Sequence, residues 1–422
     1  MEWRPLPVTT STGARPYAAL NPALIRSSLA VVERRAEALT KYFYAHLFKH
    51  NPGVRAMFPE RMEEQRDRLF AALTTAILNL GDTDALVDHL HTLGFDHRKF
   101  GARTEHYPAV GRSLIATLKF FSGSAWTPKT EAAWRAAYEL ISKIMIAGAE
   151  SVPESEPAWW NAEVLRHERR AEDIAVLTVR PDRPYPFVPG QYATLTAPEA
   201  PQVWRPYSIA NAPRADGTLD FHIRRVEGGL LSSALVDEVA PGGAVRLGPP
   251  LGTTTLPKAP EGELLFVAGG TGWAQIKALI EEFAVRRGSA TATLLIGART
   301  QDDVYDLGVL ELLGGAHPWL RLVGALPARD RPDADATLLR ELTRYATAQS
   351  LRHAPAEWPH VYVSGPPAMV DTVETQLAML HRVPPDRVHH DPSVHHDTGE
   401  RPETAAEWFL MKRQVPWIRP RP

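Results

Sequence analysis

Residues 86–111 read LVDHLHTLGFDHRKFGARTEHYPAVG and contain two helical patterns separated by a break. Apolar residues recur at three- and four-residue spacing before the break, which is the period of a helix with one apolar face. The first pattern ends near His97, breaks at Gly101 and resumes after a proline. A histidine at a helix end is more often a structural residue than a metal ligand, so the role of His97 depends on the rest of the chain.

The composition of the chain restricts its class. Its 422 residues are enough for about three domains of ordinary size. The formal net charge of -2 gives no general attraction to nucleic acid or acidic lipid. There is no cysteine, which excludes disulfides, thiolate ligands and thiol catalysis. No apolar run of about 18 residues occurs, so we expect a soluble, cytoplasmic protein without a membrane span. We also expect a monomer whose partners are small molecules.

The sequence pattern divides the chain into five segments. Residues 1–20 form an irregular arm, and the helical patterns of 21–151 predict a compact all-helical domain. Residues 158–257 contain short alternating runs with proline and glycine, which predict an antiparallel β-barrel. Apolar strands alternate with helices in 261–392, which predicts an α/β domain with a doubly wound parallel sheet. The tail at 393–422 is rich in proline and arginine and fits none of the three domains.

A flavin-binding pattern lies in the predicted barrel. The sequence RPYS occupies residues 205–208 on a predicted strand that follows Tyr192. An arginine fork can hold a pyrophosphate, a tyrosine ring can stack on a flavin, and a serine hydroxyl can bond a ring heteroatom. Gly229 and Ser232 follow at a predicted helix start, where backbone N–H groups can bind phosphate. Four letters alone are equally compatible with an ordinary strand that carries a surface arginine.

A glycine-rich turn, GGTG at 269–272, lies between a predicted strand and a predicted helix. Glycines there allow a dinucleotide to approach the backbone, although the turn is not the GxGxxG fingerprint and is weak evidence by itself. Gly365 and Pro366 come at the end of the last long predicted strand. In a doubly wound sheet, both loops border the crevice in which ligands bind.

Residues 160–391 resemble the ferredoxin–NADP reductase family. The order of barrel, RPYS, GGLLS, GGTG and SGPP is typical of that family and is more specific than any one motif. The resemblance implies FAD bound by Tyr192, Arg205, Pro206, Tyr207, Ser208, Gly229 and Ser232. It implies NADH or NADPH bound by Gly270, Thr271, Gly272, Trp273, Ala274, Gln275, Arg299, Gly365 and Pro366. Arg299 suits a 2′-phosphate, but a sheet-end arginine also occurs with NADH, so the choice of nicotinamide cofactor stays open.

The chain departs from that family at three positions. Gln275 stands where a proline usually follows the glycine turn, and Ser364 stands where the last strand commonly leads into Cys-Gly-Pro. The aromatic residue that the family places near Asp391 to cover the flavin is missing. We hypothesise that Trp408 or Phe409 of the tail covers the flavin instead.

The helical region resembles a globin, and the whole chain resembles a flavohemoglobin. The sequence YFYAHLFKHNPGVRAMF matches a helix and the corner after it, which implies Tyr44 over the distal face of haem b and Phe58 against the ring. Gln65 and Leu69, four residues apart on the next helix, match two distal pocket positions. A phenol and an amide there are able to donate hydrogen bonds to bound dioxygen.

The sequence DHRKFGARTEHYPAVG matches the proximal segment of the family. The match implies that His97 is the axial ligand of the haem iron and that Tyr107 accepts its other N–H. A proximal acceptor adds electron density to the iron and favours oxygen activation over storage. In the family a glutamate assists the tyrosine; its position falls on Ser151, and a helix shift would bring Glu150 in. Asp96 replaces the lysine that often precedes the histidine.

The resemblance also implies an activity. NAD(P)H would reduce FAD, FAD would reduce the haem, and haem-bound O2 would oxidise nitric oxide to nitrate, with Tyr44 and Gln65 holding the oxygen. Two alternatives remain open, namely an NAD(P)H-dependent flavohaem reductase or oxidase with another substrate, and a globin that only senses or carries O2. The RPYS and GGTG motifs argue against pure binding, because a sensor needs no hydride donor.

Overall fold

The computed structural model describes residues 20–78, 83–152, 156–298, 300, 303–325, 334–350 and 358–391. They fall into two compact units, a helical unit that ends at Glu156 and a second unit that begins at Pro157. Most of the predicted arm, the tail at 393–422 and Arg299 lie outside the described residues, as does the hypothesis that Trp408 or Phe409 covers the flavin.

The helical unit contains six α-helices among its described residues. They are α1 (Pro22–Glu33), α2 (Ala36–His50), α3 (Glu63–Leu78), α4 (Thr83–His97), α5 (Tyr107–Ser122) and α6 (Pro128–Glu150). Local signals set two of the starts, since the side chains of Asn21 and Thr127 cap α1 and α6 and a proline follows each cap. The apolar faces meet in one core that includes the fully buried Leu39 and Trp134. The predicted all-helical domain is confirmed.

Helices α4 and α6 cross at two glycines. A Cβ atom added to Gly94 would lie 1.9 Å from the carbonyl oxygen of Met145, and one added to Gly148 would lie 2.0 Å from that of His91. Real Cβ atoms do not come this close to backbone atoms, so only glycine permits this crossing. Because His97 ends α4, the crossing sets the position of that histidine.

The second unit begins with a six-stranded antiparallel barrel. Its strands are β1 (Trp160–Ala171), β2 (Ile174–Pro181), β3 (Tyr192–Thr196), β4 (Arg205–Ser208), β5 (Leu219–Arg224) and β6 (Ala244–Leu247), in the spatial order β4-β3-β6-β1-β2-β5. A bridge between Ile209 and Phe221 joins the two outer strands and closes the barrel. A short helix, α7 (Leu230–Ser233), follows β5. The predicted barrel is therefore confirmed.

A parallel sheet with helices completes the second unit. Its elements are β7 (Glu263–Gly269), α8 (Trp273–Arg286), β8 (Thr291–Gly297), α9 (Leu307–Ala316), β9 (Leu320–Ala325), α10 (Ala334–Ser350), β10 (His360–Ser364), α11 (Pro367–His381) and β11 (Val388–His389). The strand order β11-β10-β7-β8-β9 changes direction at β7. The carboxyl ends of β7 and β10 therefore form the crevice of a doubly wound sheet, as predicted. Within the described ranges, no helix combines the length and the apolar character needed to cross a membrane.

Candidate cofactor sites

The residues predicted for the distal side of the haem pocket lie close together. Tyr44 on α2 is buried, and its ring lies edge-on to Phe58 with 5.5 Å between the centroids. Its hydroxyl donates to the backbone carbonyl of Gln65 at 3.3 Å. Leu69 packs against the same apolar cluster. Burial raises the pKa of Tyr44, so the phenol stays protonated and keeps its donor.

His97 has the geometry of a nitrogen ligand. Its Nδ1 lies 2.7 Å from the carbonyl oxygen of Leu93, one turn earlier on α4. Because a carbonyl only accepts, Nδ1 carries the proton and Nε2 keeps a lone pair. No hydrogen-bond partner for Nε2 occurs among the residues that the structure describes, and burial lowers the pKa of the ring. A neutral imidazole with a free Nε2 fits the axial position of a haem iron.

The expected partners of His97 do not take its proton. The hydroxyl of Tyr107 is buried and, within the described part of the chain, accepts and donates no hydrogen bond. Glu150 is exposed, and its Oε1 accepts from the Thr104 hydroxyl at 3.2 Å. In this structure the Leu93 carbonyl already accepts the imidazole N–H, so neither Tyr107 nor Glu150 does.

The charge beside His97 is balanced locally. Asp96 Oδ1 and Lys99 Nζ lie 2.6 Å apart, and the lysine side chain is almost fully buried. The carboxylate raises the pKa of His97 and the ammonium lowers it, and both effects are smaller than that of burial. Asp96 therefore changes the local field less than its sequence position indicates.

The flavin motif lies on two paired strands. Tyr192 on β3 is directly opposite Ser208 on β4, and Tyr207 is opposite Ala193. Tyr207 packs partly against the barrel core, and burial raises its pKa. Arg205 Nη1 donates to the carbonyl of Trp204 at 3.0 Å. The pairing brings the predicted flavin residues of both strands together at one edge of the barrel.

The turn before α7 is shaped by Ser232. Its Oγ accepts from the backbone N–H of Val226 at 3.1 Å and lies 3.3 Å from the carbonyl of Gly229. Gly228 has a φ of 70°, in the left-handed region that favours glycine. The serine therefore stabilises, through hydrogen bonds, the turn whose backbone N–H groups are predicted to bind a phosphate.

The two loops of the nicotinamide crevice are in contact. A Cβ atom on Gly272 would lie 2.2 Å from the carbonyl oxygen of Ser364, and one on Gly365 would lie 2.4 Å from Met369. The glycine turn, with Gly270 at a φ of 53°, thus reaches the segment that holds Pro366. Side chains at Gly272 and Gly365 would therefore force the two loops apart.

Trp273 and Ala274 follow the glycine turn at the start of α8. Both side chains are buried, and the indole N–H of Trp273 donates to buried Asp306 at 2.9 Å. Trp273 packs in the core of the α/β domain. That both residues bind the nicotinamide cofactor stays a prediction, and with buried side chains they would do so through their backbone.

Comparisons with known proteins agree with this division of the chain. Residues 41–145 match the model of the globin family, 161–256 that of the oxidoreductase FAD-binding domain, and 266–375 that of the oxidoreductase NAD-binding domain. The flavohemoprotein of Bordetella pertussis is 26% identical over 283 residues, which are 63% of this chain and 70% of the relative. That of Chromobacterium violaceum is 26% identical over 325 residues, which are 71% of this chain and 79% of the relative.

A reductase and a solved structure extend the comparison. The ferredoxin–NAD(P)+ reductase component of the naphthalene 1,2-dioxygenase system of Pseudomonas putida is 34% identical over 229 residues, 54% of this chain and 67% of the relative. The crystal structure of a Malassezia yamatoensis flavohemoglobin, with bound FAD and heme, has a TM-score of 0.69 at 15% identity. It covers 90% of this chain and 98% of its own, so the fold is shared.

The chain is thus an oxidoreductase in which a globin precedes an FAD- and NAD-binding reductase. Its matched domains imply haem, FAD and NAD(P)H as cofactors, and His97, the β3–β4 pair and the glycine turn fit these three groups. Its order of globin, FAD-binding and NAD-binding domains, and its similarity to the flavohemoproteins, agree with the resemblance drawn from the sequence.

Proposed function

We propose that this protein is a flavohemoglobin that acts as an NAD(P)H-dependent nitric oxide dioxygenase, which consumes O2 and nitric oxide and releases nitrate. The observation that carries the proposal is the pair of His97, a neutral ligand with a free Nε2, and Tyr44, a buried phenol kept as a donor. When bound, the haem supplies an iron that takes O2, and the FAD accepts hydride from the nicotinamide and releases single electrons.

The residues of the helical unit have two tasks. The Leu93 carbonyl keeps the proton of His97 on Nδ1, so Nε2 keeps the lone pair with which it would bind the iron. The hydrogen bond from Tyr44 to the Gln65 carbonyl is long, at 3.3 Å, and its donor is therefore available to a better acceptor nearby. Phe58 and Leu69 add apolar surface that excludes water from this donor.

The residues of the reductase unit hold and orient. The glycines of the turn at 269–272 let a dinucleotide approach the backbone at the carboxyl end of β7. Tyr192 and Ser208 present a ring and a hydroxyl at neighbouring positions of the paired strands. These groups suit a planar ring system with heteroatoms at its edge.

The substitution Tyr44→Phe tests the distal donor. It removes one hydrogen bond to a polarised acceptor, so we expect nitric oxide consumption to fall and O2 dissociation to accelerate by roughly tenfold or more. Tyr42→Phe is the matched control, since Tyr42 lies on the same helix and stacks on exposed Phe120. NADH-dependent dye reduction should stay unchanged in both variants, because the donor acts only at the haem.

The products test the reaction itself. The protein is reduced with NADH, exposed to air and given measured amounts of nitric oxide. We expect one nitrate for each nitric oxide consumed. Consumption without nitrate, or an O2 dissociation rate that Tyr44→Phe leaves at the wild-type value, would contradict the proposal and favour a reductase or oxidase with another substrate.

A further inference from the structure

Helix α8, which starts directly after the glycine turn, is attached to the barrel by polar side chains. The contacts are Gln275 Nε2 to the Gly190 carbonyl at 2.7 Å, Lys277 Nζ to the Ala210 carbonyl at 2.9 Å, and the Ala212 N–H to Glu281 Oε2 at 2.9 Å. Gly190 comes two residues before Tyr192, and Ala210 comes two residues after Ser208. The helix is therefore bonded to the ends of both flavin strands.

Gln275 makes the most constrained of these contacts. Its side chain is only 2% exposed, and its Nε2 also donates to Asp391 Oδ2 at 2.6 Å. Both amide hydrogens are therefore used. Asp391 Oδ1 in turn accepts from the buried Thr254 hydroxyl at 2.8 Å. One side chain thus joins the loop before β3, the start of α8 and the segment after β11.

This network lies beside the ring of Tyr192. A Cβ atom on Gly252 would lie 3.2 Å from Tyr192 Cδ1 and 3.3 Å from Asp391 Oδ1. The left-handed φ of 101° at Gly252 keeps this position free of a side chain. The carboxylate that Gln275 holds is therefore a neighbour of the predicted flavin residue.

We propose that Gln275 is a positioning residue that fixes the glycine turn of the dinucleotide domain relative to the flavin strands of the barrel. Hydride transfer needs reacting atoms about 3–3.5 Å apart, and a misplacement of about 1 Å costs roughly a hundredfold in rate. A proline, usual here in the related reductases, has no donor for either acceptor. This chain therefore sets the spacing with two hydrogen bonds. The proposal rests on the NAD(P)H-to-FAD step of the proposed function and is independent of nitric oxide.

The test compares Gln275→Met with a matched control, Gln376→Met. Gln376 is also a buried glutamine with two hydrogen bonds, but it joins α11 to α10 and does not reach the barrel. Full-length protein with FAD and haem is mixed with NADH without oxygen. The rate of flavin reduction, the long-wavelength absorbance of stacked nicotinamide and flavin, and the affinity for FAD are measured.

We expect Gln275→Met to slow flavin reduction by roughly ten- to a hundredfold and to weaken the stacking absorbance, with FAD affinity little changed. Gln376→Met should lower the unfolding temperature and leave flavin reduction near wild type. Flavin reduction by Gln275→Met within about threefold of wild type, or equal slowing in both variants, overturns the proposal. If Gln275→Met does not retain FAD, Gln275→Asn, with an amide one methylene shorter, is held to the same two criteria.

Anaerobic flavin reduction also separates this proposal from the proposed function. If Gln275→Met slows flavin reduction but the wild-type protein forms no nitrate, the positioning role stands and the dioxygenase function is wrong. If the protein forms nitrate but Gln275→Met leaves flavin reduction unchanged, the dioxygenase function stands and the positioning role is wrong.

Discussion

The helical unit and the reductase unit hold their chemical groups in different ways. His97 and Tyr44 each donate one hydrogen bond to a backbone carbonyl, and Tyr44 lies in the apolar cluster of the helical unit. Gln275 and Asp391 belong to a chain of side chains that bond to one another and to distant loops. The side chains of His97 and Tyr44 are therefore held mainly by packing, whereas those of Gln275 and Asp391 are held by a hydrogen-bond network. We expect substitutions of the first two to have local effects and substitutions of the last two to affect distant segments as well.

The largest expected effect tests the local side of this comparison. His97→Ala removes the only proposed iron ligand, so we expect loss of haem absorbance and of nitric oxide consumption by more than about a hundredfold. FAD content and NADH-dependent dye reduction should persist, because the reductase is a compact unit of its own. His91→Ala, on the same helix, is the control. Wild-type haem content in His97→Ala would mean that another residue binds the iron.

The second effect concerns acid stability of the reductase unit. His222 on β5 is buried, and its Nδ1 lies 2.8 Å from the Tyr305 hydroxyl of the dinucleotide domain. Burial lowers the pKa of His222 to about 4. Since the folded pKa lies below the unfolded value, its contribution is complete above about pH 6.5 and is lost as pH falls toward 4. The loss is about 3 kcal/mol. The charged groups that act on the ring are Asp306, Lys277, Asp220 and Arg170.

The midpoint temperature of FAD release, measured from pH 7.5 to 4.5, checks this prediction. His222→Gln should flatten the acid limb of the curve, while His317→Gln, whose ring centroid lies 4.8 Å from that of Trp319, should not. Burial also lowers the pKa of His389 to about 4, so part of the limb will remain in His222→Gln. An unchanged limb would show that the barrel contact of His222 does not couple to FAD retention.

The smallest effect is expected on the proximal side. Tyr107→Phe removes a buried hydroxyl that has no partner among the described residues, so the unfolding temperature should stay or rise. The iron–histidine stretching frequency should not move, because Leu93 takes the imidazole proton. Tyr138→Phe is the contrast, since its hydroxyl donates to the Tyr107 carbonyl at 2.6 Å and its loss should cost about 1 kcal/mol. A lower frequency in Tyr107→Phe would restore the tyrosine as the partner of His97.

Sequence patterns predicted what is local. The strand period around RPYS, the strand–turn–helix around GGTG and the helix that ends at His97 are encoded within about 20 residues each. The sequence also contains the acceptor of the His97 N–H, because Leu93 lies four residues earlier on the same helix. The family resemblance favoured Tyr107 instead. The burial of Trp273 could not be predicted from the sequence, because it depends on how α8 packs in the domain.

The contacts of Gln275 were not predictable from any pattern. Its two acceptors lie 85 and 116 residues away in the chain. A buried glutamine in a helix has no local signature, since its helical propensity is ordinary and its partners depend on how the barrel and the sheet pack. The departure from proline at this position was the only signal, and it marked the residue without giving its role.

The glycine crossing of α4 and α6 has a consequence for the position of His97. Gly94 and Gly148 have no side chains, and a single methyl group at either position would clash with the backbone of the opposite helix. The opposite helix would have to move away, and the imidazole of His97 would be displaced with the end of α4. A glycine-to-alanine substitution at this crossing would therefore change ligand binding by His97 without altering a residue that contacts the ligand.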